Sequence, residues 1–84
     1  MTDPIRTDDL FLGGFCLSRG GELVAIEVQR VSGRRVAVFA IAGPGVLDAE
    51  REYFRGPTSV DLQHLKLQVR RLKERAFAAL REQS

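Results

Sequence analysis

The residue types that could do chemistry are scarce in this chain, and each is accounted for by structure. His64 falls in the first turns of a C-terminal helical stretch, where a general base would need a nucleophile or an orienting carboxylate in reach. Asp61 alone stands at helical spacing from it, and its place at the start of the stretch marks it as a capping group. Cys16 lies among Leu and Phe residues with no neighbouring base to lower its pKa, so it reads as a small buried hydrophobe. Asp48, Glu50 and Glu52 alternate in a short helix, with Asp48 and Glu52 on one face and Glu50 pointing away. That arrangement matches neither a calcium loop nor a glycosidase carboxylate pair. The glycines at 13, 14, 20 and 21 fit neither G-x-G-x-x-G nor the phosphate-binding loop with its Lys and Ser/Thr. One Cys and one His exclude a disulfide framework and a self-contained zinc site. We therefore assign no catalytic residue, no cofactor-binding residue and no metal ligand, and expect a protein that is not an enzyme.

Cations are the remaining chemical resource. Residues 60–84 hold six basic side chains against three acids, whereas the preceding segment holds seven against eight. Eleven of the thirteen basic residues are Arg, which suits bidentate phosphate contact and equally reflects a GC-rich coding sequence. At about 100° per residue, Lys66, Arg70 and Lys73 fall on one flank of the C-terminal helix. His64, Arg71 and Arg75 fall on its far side, and Arg30, Arg34 and Arg35 add charge elsewhere, at a turn. Lys66, Arg70, Arg71, Lys73 and Arg75, with Arg34 and Arg35, are the candidate contacts to a DNA or RNA backbone, made without reading sequence. The plainer reading is a solvated helix face, partly neutralised by an Arg70–Glu74 pair. Exposed aromatic residues for stacking are not evident from the sequence.

The elements that position these side chains follow from patterning. Residues 1–6 read as a flexible lead-in, and residues 7–84 as one small domain. Thr7, Asp8 and Asp9 offer capping oxygens to a stretch ending at Gly20-Gly21, a helix stop followed by a turn. Between them, Leu10 to Ser18 reads as a short helix, with a strand as the alternative, because Gly13 and Gly14 weaken a helix and Phe suits a sheet. Residues 22–42 form the clearest unit, a hairpin turning at Ser32-Gly33. Its register sets Arg30 opposite Arg35, Val28 opposite Ala37, Ile26 opposite Phe39 and Val24 opposite Ile41. These last three pairs make a core face. Ala25, Glu27, Gln29, Val36, Val38 and Ala40 make a mixed surface on the other side. Gly43-Pro44-Gly45 ends the second strand, and a helix from about Val46 to Phe54 stops at Gly56-Pro57. Thr58 and Asp61 then resemble a capping box. Leu62, Leu65, Val69, Leu72, Ala76 and Leu80 recur with helical period over about five turns.

The result is an α+β fold of order α-β-β-α-α: a two-stranded antiparallel hairpin packed against helices, with a long C-terminal helix. Eighty-four residues bury a thin core, and an unpaired hairpin edge invites a second copy, so a homodimer is expected. No stretch is long and apolar enough for a membrane span, and the N-terminus shows no export signal, which points to the cytoplasm.

The order of features resembles a known family. Asp9-Leu10-Phe11-Leu12, Leu17 and Gly20, Leu23-Val24 with Ile26-Glu27, and Arg35-Val36-Ala37-Val38-Phe39 carry the likeness. Tyr53-Phe54-Arg55-Gly56, Val60-Asp61 and Leu72-Lys73 extend it, so that it covers roughly residues 7–80. Together they resemble a family of short bacterial and phage proteins catalogued as a domain of unknown function. The resemblance implies a stand-alone module with no catalytic residues to carry over. Family members tend to have Ala at the positions of Gly13 and Gly14, which supports a helix there. Phage and mobile-element settings imply either a nucleic-acid-associated accessory protein or a protein that docks on a larger host or phage machine, an anti-defence inhibitor being one version.

Overall fold

The computed structural model describes residues 3–56 and 59–82. Its elements are β1 (Ile5–Thr7), α1 (Leu10–Ser18), β2 (Glu22–Val31), β3 (Arg34–Ala42), α2 (Val46–Arg55) and α3 (Leu62–Glu82). The class is α+β as expected, but the sheet has three strands in the order β1-β3-β2, all antiparallel. Residues 5 and 6, expected in a loose lead-in, belong to the short strand β1. Its Ile5 lies opposite Ile41 and joins the core. A single apolar residue between Pro4 and Arg6 gives no periodic signal, yet one buried side chain and a short ladder suffice to hold three residues to an open sheet edge.

The hairpin turns where expected. Ser32 and Gly33 both have positive φ, 51° and 79°, as a two-residue type I′ turn requires. The pairs Arg30–Arg35, Val28–Ala37 and Ile26–Phe39 form in the expected register. Beyond them a bulge at Val24 shifts the ladder, so Leu23, not Val24, lies opposite Ile41. Leu23 accordingly packs on the core while Val24 is exposed. Ala40, expected on a mixed surface, is buried instead. It sits on the central strand opposite Arg6 and Ala25. The Arg6 guanidinium reaches across β3 on that face to Glu27, Nε to Oε1 3.4 Å.

α1 is a helix, which resolves the strand alternative. Asp9 caps it, its Oδ1 accepting from the N–H groups of Phe11 (2.9 Å) and Leu12 (3.2 Å). At its end, Gly20 donates to the Leu17 carbonyl and Gly21 to that of Cys16, with Gly20 at φ 94°, a Schellman ending. The two internal glycines are explained by what lies against them. A Cβ at Gly14 would stand 2.7 Å from Val69 Cγ2, and one at Gly13 would stand 2.9 Å from Leu72 Cδ1. The helix-weakening residues thus let α1 and α3 approach closely, and the close packing offsets their poor propensity.

The core gathers Phe15, Cys16 and Leu12 of α1, Phe39 and Ile41 of β3, Leu72 of α3, and Val46 and Ala49 of α2. Burial pushes the Cys16 thiol up to about 11, with the negative charge of Glu50 adding to the effect. α2 ends one residue later than expected, at Arg55, with Gly56 at φ 131° as its stop. Tyr53 anchors α2 to the start of α1. Its hydroxyl donates to Asp9 Oδ2 at 3.3 Å, and its ring lies 6.0 Å from that of Phe15. Burial raises the phenol pKa, and the Asp9 charge and hydrogen bond add to the rise. Arg19 ties the other end, its guanidinium lying over Phe15 and donating to Glu52 Oε1 (3.2 Å) and the Ser59 carbonyl (3.0 Å).

Candidate nucleic-acid interface

The candidate cations are set by where α3 starts and which way it rolls. Asp61 fixes the start: its Oδ1 accepts from the N–H groups of Gln63 (3.0 Å) and His64 (3.1 Å). Asp61 therefore caps the helix through its own side chain. Thr58, expected with it in a capping box, and Pro57 of the expected stop lie outside the described residues. The roll is fixed by Leu65, Val69, Leu72 and Ala76, which turn toward α1 and the sheet, with Leu72 fully buried. Leu62, the first member of the expected stripe, is exposed because the core ends below it.

This roll leaves two basic flanks. Lys66, Arg70 and Lys73 line the side toward α1, around an open cleft of about 400 Å³. Arg71 and Arg75 lie on the opposite side, beside Leu23 and the start of β2. All five are exposed, and no ion pair found among the described residues includes any of them. The expected Arg70–Glu74 pair is not formed. Glu74 instead borders a shallow hollow of about 530 Å³ with Arg35, Phe77 and Leu80 at the far end of the helix.

Arg34 and Arg35 are not brought together. Strand alternation puts them on opposite faces of the sheet. Arg35, on the α3 side, donates through Nη1 to the Leu80 carbonyl at 3.5 Å. That carbonyl belongs to the last turn of α3, whose partial negative charge eases the like-charge pair Arg30–Arg35. The structure therefore joins Arg35 to the end of α3, leaves Arg34 apart on the outer face, and divides the helix cations into a group of three and a group of two.

His64 is exposed, with Nε2 3.2 Å from Gln68 Nε2. Glu52 is engaged by Arg19, and Asp48 lies 4.0 Å from Arg51. Among the described residues no group of three or more His, Cys, Asp or Glu side chains could hold a metal ion. No helix among them is long and apolar enough to cross a membrane.

Of the two aromatic groups here, sequence reasoning missed Phe11 and read Phe77, with Leu67, as an apolar flank off the centre of the α3 stripe that could dock a protein partner. Phe11 is 59% exposed and walls the cleft that Lys66, Arg70 and Lys73 line; Phe77, equally exposed, stands one turn beyond Lys73. Phe11 gave no signal, because α1 is apolar on all sides and its sequence does not show which side meets water. Compared with family models, with curated proteins and with solved structures, the chain matches none.

Proposed function

We propose that this protein is a small, non-enzymatic, nucleic-acid-associated accessory protein that grips the phosphate backbone through α3. The observation that carries the reading is that Lys66, Arg70, Arg71, Lys73 and Arg75 are exposed and that no ion pair among the described residues includes any of them. Exposed cations on both flanks of one helix can neutralise several phosphates at once, and the released counterions drive binding. The resemblance to short bacterial and phage proteins allows this role, exercised in the cytoplasm, and docking on a larger machine alike. Direct titration tests it. With five phosphate contacts, raising salt from about 50 to about 200 mM weakens binding by roughly 500-fold. Arg70→Ala lowers the salt slope by about one. Absence of binding to duplex or single-stranded DNA or RNA at about 50 mM salt overturns the proposal.

A second reading, a protein-interaction module, is favoured by the outer edge of β2. On the side away from β3 that ten-residue strand has no strand beside it among the described residues, and Val24 and Val31 are exposed along it. Such an edge accepts an added strand, the simplest donor being β2 of a second copy. A solution mass of twice 9.4 kDa supports this reading, and a monomer mass overturns the homodimer.

A further inference from the structure

We infer that the cleft between α1 and α3 is a track for single-stranded DNA, an inference that rests on the nucleic-acid reading above and names its ligand. The cleft combines the two features a single strand needs and a duplex cannot use together: cations for the backbone and an open aromatic face for an unstacked base. Its floor is apolar, made by Leu62, Leu65 and Val69, with Phe11 as the wall on the α1 side. Lys66, Arg70 and Lys73 line it at successive turns of α3, about 6 Å and then about 4.5 Å apart along the helix axis. Among the described residues no acidic side chain lines this cleft.

The track continues. Lys73 also borders a neighbouring apolar hollow of about 200 Å³ toward the end of α3, lined by Ala76, Phe77 and Leu80, with Asp8 as its acidic member. Phe11 thus stands beside the cation row on the α1 side, and Phe77 continues the line of the row one turn beyond Lys73, so two exposed rings border the track. In a duplex the bases are stacked and paired, so neither ring has anything to receive. The choice of DNA follows from the floor. Leu62, Leu65, Val69 and Phe11 offer no polar partner to a 2′-hydroxyl, so a ribose laid against them gives up water contacts that the floor does not replace. A deoxyribose carries no such penalty.

The test is fluorescence anisotropy on the full chain at about 50 mM salt. It uses labelled oligothymidylate of about 16 nucleotides, a duplex of equal length and the matching oligouridylate. Oligothymidylate binds more tightly than the other two. Phe11→Ala weakens its binding by at least about fivefold and leaves duplex binding within about twofold. Phe54→Ala removes an aromatic residue that is 69% exposed but away from the cleft, and changes neither. Because Phe11 is largely exposed, its removal leaves the fold intact, which circular dichroism of the variant checks. Duplex binding as tight as single-strand binding, or an unaltered Phe11→Ala variant, overturns the inference while the nucleic-acid reading stands. Oligouridylate binding as tight as oligothymidylate overturns the choice of DNA. Failure of all three to bind overturns both readings.

Discussion

The two ends of the β2–β3 hairpin are built from similar residues and have opposite fates. Near the chain's start, β1 pairs with β3 at Phe39, Ala40 and Ile41, and α1 and α3 cover the inner face, so these residues are almost inaccessible. Toward the turn, β1 has ended and only the last turns of α3 lie overhead. There Val31, Arg34 and Arg35 are exposed, and Phe77 and Leu80 line open hollows. A chain of this size closes one end well where three elements converge, and leaves the other end as surface available for contact.

The sharpest way to break this contrast is to truncate one Phe from each end. Phe39→Ala, at a side chain 1% exposed, costs about 3–5 kcal/mol and threatens folding altogether. Phe77→Ala costs less than about 1 kcal/mol, since the ring is already largely in water. Denaturant midpoints read both. Equal losses would mean that the far end is as closed as the near one.

Next in size is a pH effect confined to the closed end. The Cys16 thiol is held protonated to about pH 11 in the folded chain, against an ordinary value of 9.0. The folded pKa is the higher one. The corresponding stability is therefore fully present below pH 9 and is lost as pH rises through 11, a fall of about 2–3 kcal/mol. Tyr53 is raised as well, so the comparison is made on a Tyr53→Phe background. There, adding Cys16→Ala abolishes the fall; persistence of the fall in that double variant would assign it to another group.

The same contrast explains what could be read in advance. The tip register, the turn at Ser32-Gly33 and the long amphipathic helix are local matters, settled by side-chain alternation, glycine and helical period. The bulge at Val24 is invisible because Leu23-Val24-Ala25-Ile26 is an unbroken apolar run in which a shift of one residue leaves no polar misfit. β1 and the exposure of Phe11 depend on which elements happen to cover which faces, and that is a property of the assembled chain. The cations were placed correctly on two flanks by angle alone. That no ion pair among the described residues takes them up, and that an aromatic wall stands beside three of them, depends on the assembled fold.

Two glycine sites then separate packing from backbone freedom. Gly14→Ala gains up to about 1 kcal/mol in helix propensity. Its methyl, however, meets the stiff, branched Val69 at 2.7 Å and the Val69 backbone at 3.4 Å, and overpacking of this kind costs about 1–3 kcal/mol. The net expectation is a loss of about 1 kcal/mol. Gly13→Ala meets only the tips of Leu72 and Ile41 within 3.4 Å, which can turn aside, so it is close to neutral. Thermal unfolding of the two variants sharpens the account of how tightly the near end closes. A stabilised Gly14→Ala would show that α3 can draw back.

At the tip the balance reverses, because nothing packs there. A Cβ at Gly33 would meet no atom within 4 Å, so local conformation alone sets the energy. Ser32 holds φ 51°, a left-handed value that Asn tolerates better than Ser, and Asn-Gly is the preferred pair for this turn. Ser32→Asn therefore stabilises the protein by about 0.5 kcal/mol, read as a higher denaturant midpoint with an unchanged slope. The effect is the smallest of the four and the only gain. A loss instead would mean that the Ser32 side chain holds a contact at the tip, and the open end would then be less open than its exposure implies.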